Sequence, residues 1–157
     1  MNTRKLTISF AIIAILLTLT LPTPTYAKNE RIYFTGSETG CDAEVIDREW
    51  ASGPNYHFRI DTQTCYEVGD TPQFIGTLYA YDGVINISGG GSIITINGKF
   101  RMETDEGGVW VGNFELPANS NTIKGVGHGE GMYAGQQIHV FTNNETGEFW
   151  GYIINGG

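Results

Sequence analysis

Residues 107–135 read G-G-V-W-V-G-N-F-E-L-P-A-N-S-N-T-I-K-G-V-G-H-G-E-G-M-Y-A-G. Large apolar side chains recur with a period of two, at Trp110, Phe114 and Leu116. Alternate side chains of a strand point to opposite faces, so this pattern predicts a β-strand with one buried face. Glycine then occupies every second position from 125 to 129. A strand with one bare face permits sharp coiling, as at the corners of a closed barrel.

The end of this stretch and the residues on either side of it also have turn and strand patterns. Glycine at 131 and 135 predicts a turn, and residues 136–141 predict the partner strand of a hairpin. Asp82-Gly83 is a favoured hairpin turn, and Asn97-Gly98 predicts either a turn or a bulge. Residues 62–71 are polar and contain Cys65, which predicts a loop.

The composition agrees with an all-β fold. Past residue 27 the only leucines are Leu78 and Leu116, whereas isoleucine, threonine, aromatic residues and glycine are abundant. Good helix formers are therefore scarce, and β-branched residues dominate. We predict a single antiparallel β-barrel of about eight to ten strands over residues 28–157, with a β-sandwich as the alternative.

The amino-terminal residues predict export. Arg4 and Lys5 precede an apolar run, residues 8–21, which is short for a membrane span, and Thr25-Tyr26-Ala27 is typical of a cleavage site. We therefore predict a signal peptide over residues 1–27 and a secreted or extracytoplasmic protein. A retained membrane anchor is the alternative.

Cys41 and Cys65 are the only cysteines of the chain. In an exported protein an even pair normally oxidises, so we predict a Cys41–Cys65 disulfide. A catalytic thiol or a pair of metal ligands is the alternative.

The predicted mature chain is acidic. Without Arg4 and Lys5, seven basic residues face seventeen acidic ones, which gives a formal charge of −10. Such a charge repels nucleic acid and anionic lipid, so we expect no nucleic-acid partner and no membrane partner after cleavage of the signal peptide.

The motif Val109-Trp110-Val111-Gly112, followed by the glycine run 125–135, resembles a known layout. It is similar to the W-x-G … G-x-G-x-G-x-Y-x-G pattern of small secreted bacterial proteins of unassigned function, which are grouped with the allene oxide cyclase and dirigent barrels. The resemblance implies an eight-stranded antiparallel barrel with a hydrophobic interior, sometimes a dimer or trimer. No catalytic residue is carried over, because no residue aligns with the active-site pattern of the cyclase.

Several side chains are candidates for ligand binding. We predict that Trp110, Tyr133, Glu130 and His128 take part in it, with the aromatic residues lining a barrel mouth or an apolar pocket. The broader aromatic set also includes the side chains Tyr33, Trp50 and Trp150. Catalytic residues are left unassigned.

Two polar groupings have structural alternatives. His57, Arg59 and Asp61 share one face of a predicted strand, and either bind an anion or form a solvated face with cross-strand ion pairs. His128, Glu130 and His139 contain enough ligands for a transition metal in principle, but they lack the usual ligand spacing. We therefore predict no metal and no cofactor.

Three classes of function remain open. The first is a non-enzymatic exported barrel that binds a small apolar or aromatic compound or acts as a surface or extracellular module, and we favour it. The second is a cofactor-independent cyclase or isomerase with an inward carboxylate such as Glu130 or Glu103. The third is metal-dependent hydrolysis, which requires His128, His139 and Glu130 to converge. The discriminating feature is the interior, because an enzyme should have an inward ionisable residue with a shifted pKa.

Overall fold

The computed structural model describes residues 30–156, so the predicted signal peptide at residues 1–27 lies outside the described part. Nine strands and two short 3-10 turns make up its regular structure. The strands are β1 (Arg31–Thr39), β2 (Val45–Ser52), β3 (Asn55–Gly69), β4 (Ile75–Ile87), β5 (Ile93–Thr104), β6 (Val109–Leu116), β7 (Thr122–Glu130), β8 (Gln136–Asn143) and β9 (Glu148–Asn155). The 3-10 turns are Pro72–Phe74 and Gly131–Tyr133. None of residues 30–156 belongs to a helix long and apolar enough to cross a membrane.

All nine strands form one antiparallel sheet in the order β1-β9-β8-β7-β6-β5-β4-β3-β2. The sheet closes on itself because β3 also pairs with β1, at residues 36–39 against 66–69. We call this pairing the β1–β3 seam. Strand β2 pairs only with the first part of β3, so eight strands form the ring and β2 extends it. The predicted all-β antiparallel barrel is therefore confirmed.

The stretch 107–135 folds as predicted. Strands β6, β7 and β8 pair in sequence, and the tight turn between β7 and β8 has Gly131 at φ +61° and Gly135 at φ +87°. These positive values suit glycine, which lacks the Cβ that excludes other residues. The predicted hairpin is confirmed.

The predicted hairpin turn at Asp82-Gly83 is wrong. Strand β4 runs through it, and the pairing with β5 shifts register between Tyr81 and Val84. Asp82 has φ +52°, so this pair forms a bulge opposite Gly98. Bulges and two-residue hairpin turns both use residues with positive φ, which explains why the dipeptide signal did not separate them.

The predicted loop at residues 62–71 is also wrong over most of its length. Strand β3 continues to Gly69, and Cys65 and Glu67 are buried while Tyr66 and Val68 are exposed. The strand period of two is therefore present. Its inward residues are polar or sulfur-containing, however, so no apolar alternation marked it.

One end of the barrel is filled with large side chains. Nine buried residues form its core, namely Phe34, Phe74, Phe100, Met102, Trp110, Tyr133, Ile138, Phe149 and Ile153. The indole N–H of Trp110 donates to the carbonyl oxygen of Gln73 over 2.9 Å, which fixes the turn Pro72–Phe74 to the barrel wall. The two 3-10 turns thus pack at the filled end.

Candidate functional site

The other end of the barrel contains a cavity of about 300 Å³. It lies at the end that has the β1–β2 and β8–β9 connections, which contribute Cys41 and Asn144 to its lining. This volume is at the lower limit for sites that enclose a small organic molecule. The barrel is therefore filled at one end and hollow at the other.

The apolar wall of the cavity is largely aromatic. Four phenylalanines line it, at positions 74, 100, 114 and 149, together with aliphatic side chains such as Leu78 and Val140. Phe74 packs against Phe149 with a centroid distance of 4.8 Å, and both rings belong to the core and line the cavity, so they lie at the boundary between the filled end and the hollow end. Planar apolar walls of this kind suit a ligand with an apolar or aromatic body.

The glycines of β6 and β7 create the space that the central ring occupies. A Cβ on Gly112 would lie 2.7 Å from the Phe100 ring, and one on Gly127 would lie 2.8 Å from it. The bare face predicted for this hairpin therefore accepts the ring of Phe100. This ring forms the floor between the core and the cavity.

The polar wall of the cavity contains two opposed carboxyl groups. Glu38 of β1 and Glu67 of β3 are directly paired across the β1–β3 seam, and both line the cavity. Glu67 is only 2% exposed, and its Oε2 atom has no hydrogen-bond partner within residues 30–156. A buried carboxyl group with an unpartnered oxygen has free capacity to bind another group.

Burial changes the protonation of both groups. Burial, followed by the nearby charge of Glu38, raises the pKa of Glu67 to about 8. Burial also raises the pKa of Glu38. Glu67 is therefore mostly protonated at neutral pH, when it can donate a hydrogen bond as well as accept one.

The predicted disulfide is confirmed. Cys41 and Cys65 are bonded, and both line the cavity. The bond attaches the β1–β2 connection to β3 beside Glu38, which has a carboxylate oxygen within 4.8 Å of the two sulfur atoms. Because the sulfur atoms are bonded to each other, these three residues do not offer thiolates to a metal.

The predicted ligand-binding residues do not converge on this cavity. The rings of Trp110 and Tyr133 stack in the filled end with a centroid distance of 4.8 Å. The Tyr133 hydroxyl donates a hydrogen bond to the carboxylate of Glu106. The pKa of Tyr133 is raised to about 12, chiefly by burial. His128 and Glu130 are exposed on the outer face of β7, where Glu130 accepts a hydrogen bond from Arg101 over 3.3 Å.

The other histidines have local partners. His139 stacks on Tyr152 at 4.7 Å, and His128 is paired with Gln137 rather than with His139. His57 stacks on Trp50 at 5.1 Å. The imidazoles of His57 and His139 are therefore each placed by an aromatic ring on the neighbouring strand.

The predicted polar row on β3 has cross-strand partners as well. His57 is hydrogen-bonded to Asn86, and Arg59 donates to Asp82 over 3.1 Å. These contacts agree with the interpretation of this face as a solvated strand surface with ion pairs.

Glu38 and Glu67 were not among the predicted site residues. Glu67 lies in the segment predicted to be a loop, where its orientation had no pattern to indicate it. A signal was nevertheless available. If Cys65 points inward to reach Cys41, a period of two places Glu67 on the same inward face.

Comparison of this chain with protein-family models, with curated proteins and with solved structures finds no match.

Proposed function

We propose that this protein is an exported, non-enzymatic β-barrel that binds a small apolar or aromatic molecule in the cavity. The observation that carries the proposal is the aromatic wall of that cavity, in which four phenylalanines surround a volume of about 300 Å³. A barrel needed only for its stability gains by filling its interior, because apolar voids cost packing energy. A hollow end beside a filled end therefore favours a binding role.

The disulfide supports the export part of this proposal. Disulfides persist in oxidising compartments, and the bond between Cys41 and Cys65 is compatible with an extracytoplasmic protein. The predicted signal peptide over residues 1–27 agrees with it.

Ligand binding is tested with a neutral apolar fluorophore, N-phenyl-1-naphthylamine, titrated with purified protein. We expect enhanced fluorescence with a stoichiometry near one probe per chain. The variant Ala80→Phe adds a ring to a residue that lines the cavity, so it should weaken binding at least about tenfold. Its matched control, Ala51→Phe, adds the same ring to an exposed position of β2 and should bind like the parent. Equal binding by both variants, or no binding by the parent, would refute the proposal.

A second function is favoured by one observation, the buried carboxyl group of Glu67 in the lining of an apolar cavity. Carboxyl groups with a pKa near the working pH are suited to general acid–base catalysis. The corresponding activity is a cofactor-independent isomerisation. A simple test reaction is the conversion of 3-cyclohexenone to its conjugated isomer, which moves one proton from carbon 2 to carbon 4. We expect loss of any turnover in Glu67→Gln, and turnover that is unchanged in this variant would contradict the assignment.

A further inference from the structure

The ionisable groups of the cavity are all of one sign. Its lining contains three glutamates, Glu38, Glu44 and Glu67, and none of the eighteen lining residues is Lys, Arg or His. They come from β1, the β1–β2 connection and β3. The remaining strands contribute no titratable group to the lining. Among residues 30–156, the cavity thus has an acidic side that no cationic side chain of its lining neutralises.

The placement of these groups differs from that of ordinary surface carboxylates. Glu67 is nine-tenths or more buried, its Oε2 atom is without a partner in the described part of the chain, and Glu38 opposes it directly across the β1–β3 seam. When both carboxyl groups are ionised, the like charges directly opposite each other destabilise the sheet, and a buried charge without a partner is costly. A positive group between the two carboxyl groups would relieve both costs.

The apolar side of the cavity suits the same kind of ligand. Aromatic faces attract cations as well as apolar groups, and phenylalanines 74, 100, 114 and 149 line the cavity. We infer that the ligand is an organic cation, in which an aromatic or aliphatic body contacts the phenylalanines and one ammonium group contacts Glu38 and Glu67. This inference rests on the proposed binding function and specifies its ligand class.

Two other ligand classes make different predictions. An anionic ligand, such as a fatty acid, would face three carboxyl groups and no cationic side chain in the lining that residues 30–156 form, so it should bind weakly. A neutral ligand would only accept a hydrogen bond from protonated Glu67, so its binding should release no proton. A cation favours the ionised form of the pair, so its binding should release about one proton at neutral pH.

The test uses benzyltrimethylammonium, a permanent cation, and neopentylbenzene, its neutral isostere. Each compound competes against N-phenyl-1-naphthylamine, and 4-phenylbutyrate serves as the anion. We expect the cation to displace the probe at a concentration at least about tenfold lower than either other compound. Titration calorimetry in two buffers of different ionisation enthalpy should show proton release on binding of the cation alone.

Variants locate the effect at the two carboxyl groups. The double variant Glu38→Gln, Glu67→Gln should lose the preference for the cation while still binding the neutral probe, which also reports that the cavity is folded. Glu49→Gln, at an exposed position of β2, is the matched control and should keep the preference. If the isostere competes as well as the cation in the parent, the inference is wrong and the binding function stands. If the parent does not bind even the fluorophore, both are wrong.

Discussion

Glu38 and Glu67 face each other as paired residues across the β1–β3 seam, and both line the hollow end of the barrel. The seam has only four residue pairs, so one quarter of the contact that closes the ring joins two carboxyl groups. Opposed carboxylates at such a position reduce stability unless one is protonated. Residues that break a local stability rule are characteristic of functional sites.

The first prediction concerns the pH dependence of stability. The pKa of Glu67 is about 8 in the folded protein and near the ordinary value of 4.5 in the unfolded chain. The folded state therefore binds more protons between these values, and the free energy of unfolding should fall as the pH rises through that window. The contribution of Glu67 to this slope is limited to about 1.4 kcal/mol per pH unit, and the raised pKa of Glu38 adds to the slope in the same direction. Urea unfolding at several pH values between about 5 and 8 measures it.

The variant Glu67→Gln should flatten this slope, because glutamine keeps the size of the side chain and does not titrate. At the alkaline end of the window the variant should be more stable than the parent. Glu49→Gln, at an exposed position on β2, should keep the parental slope. If Glu67→Gln had the same slope of unfolding free energy against pH as the parent, Glu67 would not be the cause of that pH dependence.

The second prediction concerns the disulfide. Cys41 and Cys65 are 24 positions apart, and a bridge that closes a loop of this length contributes about 3 to 4 kcal/mol in the chain-entropy model. We expect the double variant Cys41→Ala, Cys65→Ala to lose about that much in urea unfolding. Adding a reductant should destabilise the parent by a similar amount and leave the variant unchanged. A loss below about 1 kcal/mol would contradict a stabilising role.

Hydrophobic periodicity was sufficient to predict the barrel but not the position of the cavity. A coiled sheet is predicted by Trp110, Phe114 and the alternating glycines of β7. This prediction is possible because the period of the side chains and the bare face of a strand are local properties of the sequence. The hollow end arises instead from residues that are distant in sequence. Glu38 meets Glu67 only because the ring closes there, and closure is a property of the whole sheet.

Polarity also misled the interpretation of β3. An inward face containing Cys65 and Glu67 has no apolar alternation, so its strand resembled a loop. Conversely, Trp110 and Tyr133 have the composition of a binding site but fill the core. Residue type alone therefore indicated neither the position of the cavity nor its charge.

The third prediction concerns Phe74, whose ring lies at the boundary between the two ends. Phe74 is 3% exposed and stacks on Phe34 at 4.5 Å, and it also lines the cavity. Phe74→Ala should cost about 3 to 5 kcal/mol, because it leaves a void where the ring was. The enlarged cavity should bind longer apolar probes than the parent binds. A variant at the outer face, Phe141→Ala, should cost less and leave probe length selectivity unchanged, whereas equal effects of the two variants would contradict the assigned role of Phe74.

The fourth prediction concerns the glycine face of β7. A Cβ at position 127 would lie 2.6 Å from the carbonyl oxygen of Val111 and 2.8 Å from the ring of Phe100. The backbone of β6 cannot move away without disturbing its strand pairing in the closed sheet. Gly127→Ala should therefore lower the free energy of unfolding by roughly 1 to 3 kcal/mol or more.

The matched control for this substitution is Gly90→Ala. The nearest atom to a Cβ at position 90 is the Ser88 hydroxyl oxygen at 3.8 Å, so this change should stay within about 0.5 kcal/mol of the parent. Thermal unfolding followed by circular dichroism compares the two variants. If Gly127→Ala were as stable as Gly90→Ala, the close approach of β6 and β7 would not limit closure of the barrel, and the glycine alternation would have to reflect something other than the space required by Phe100.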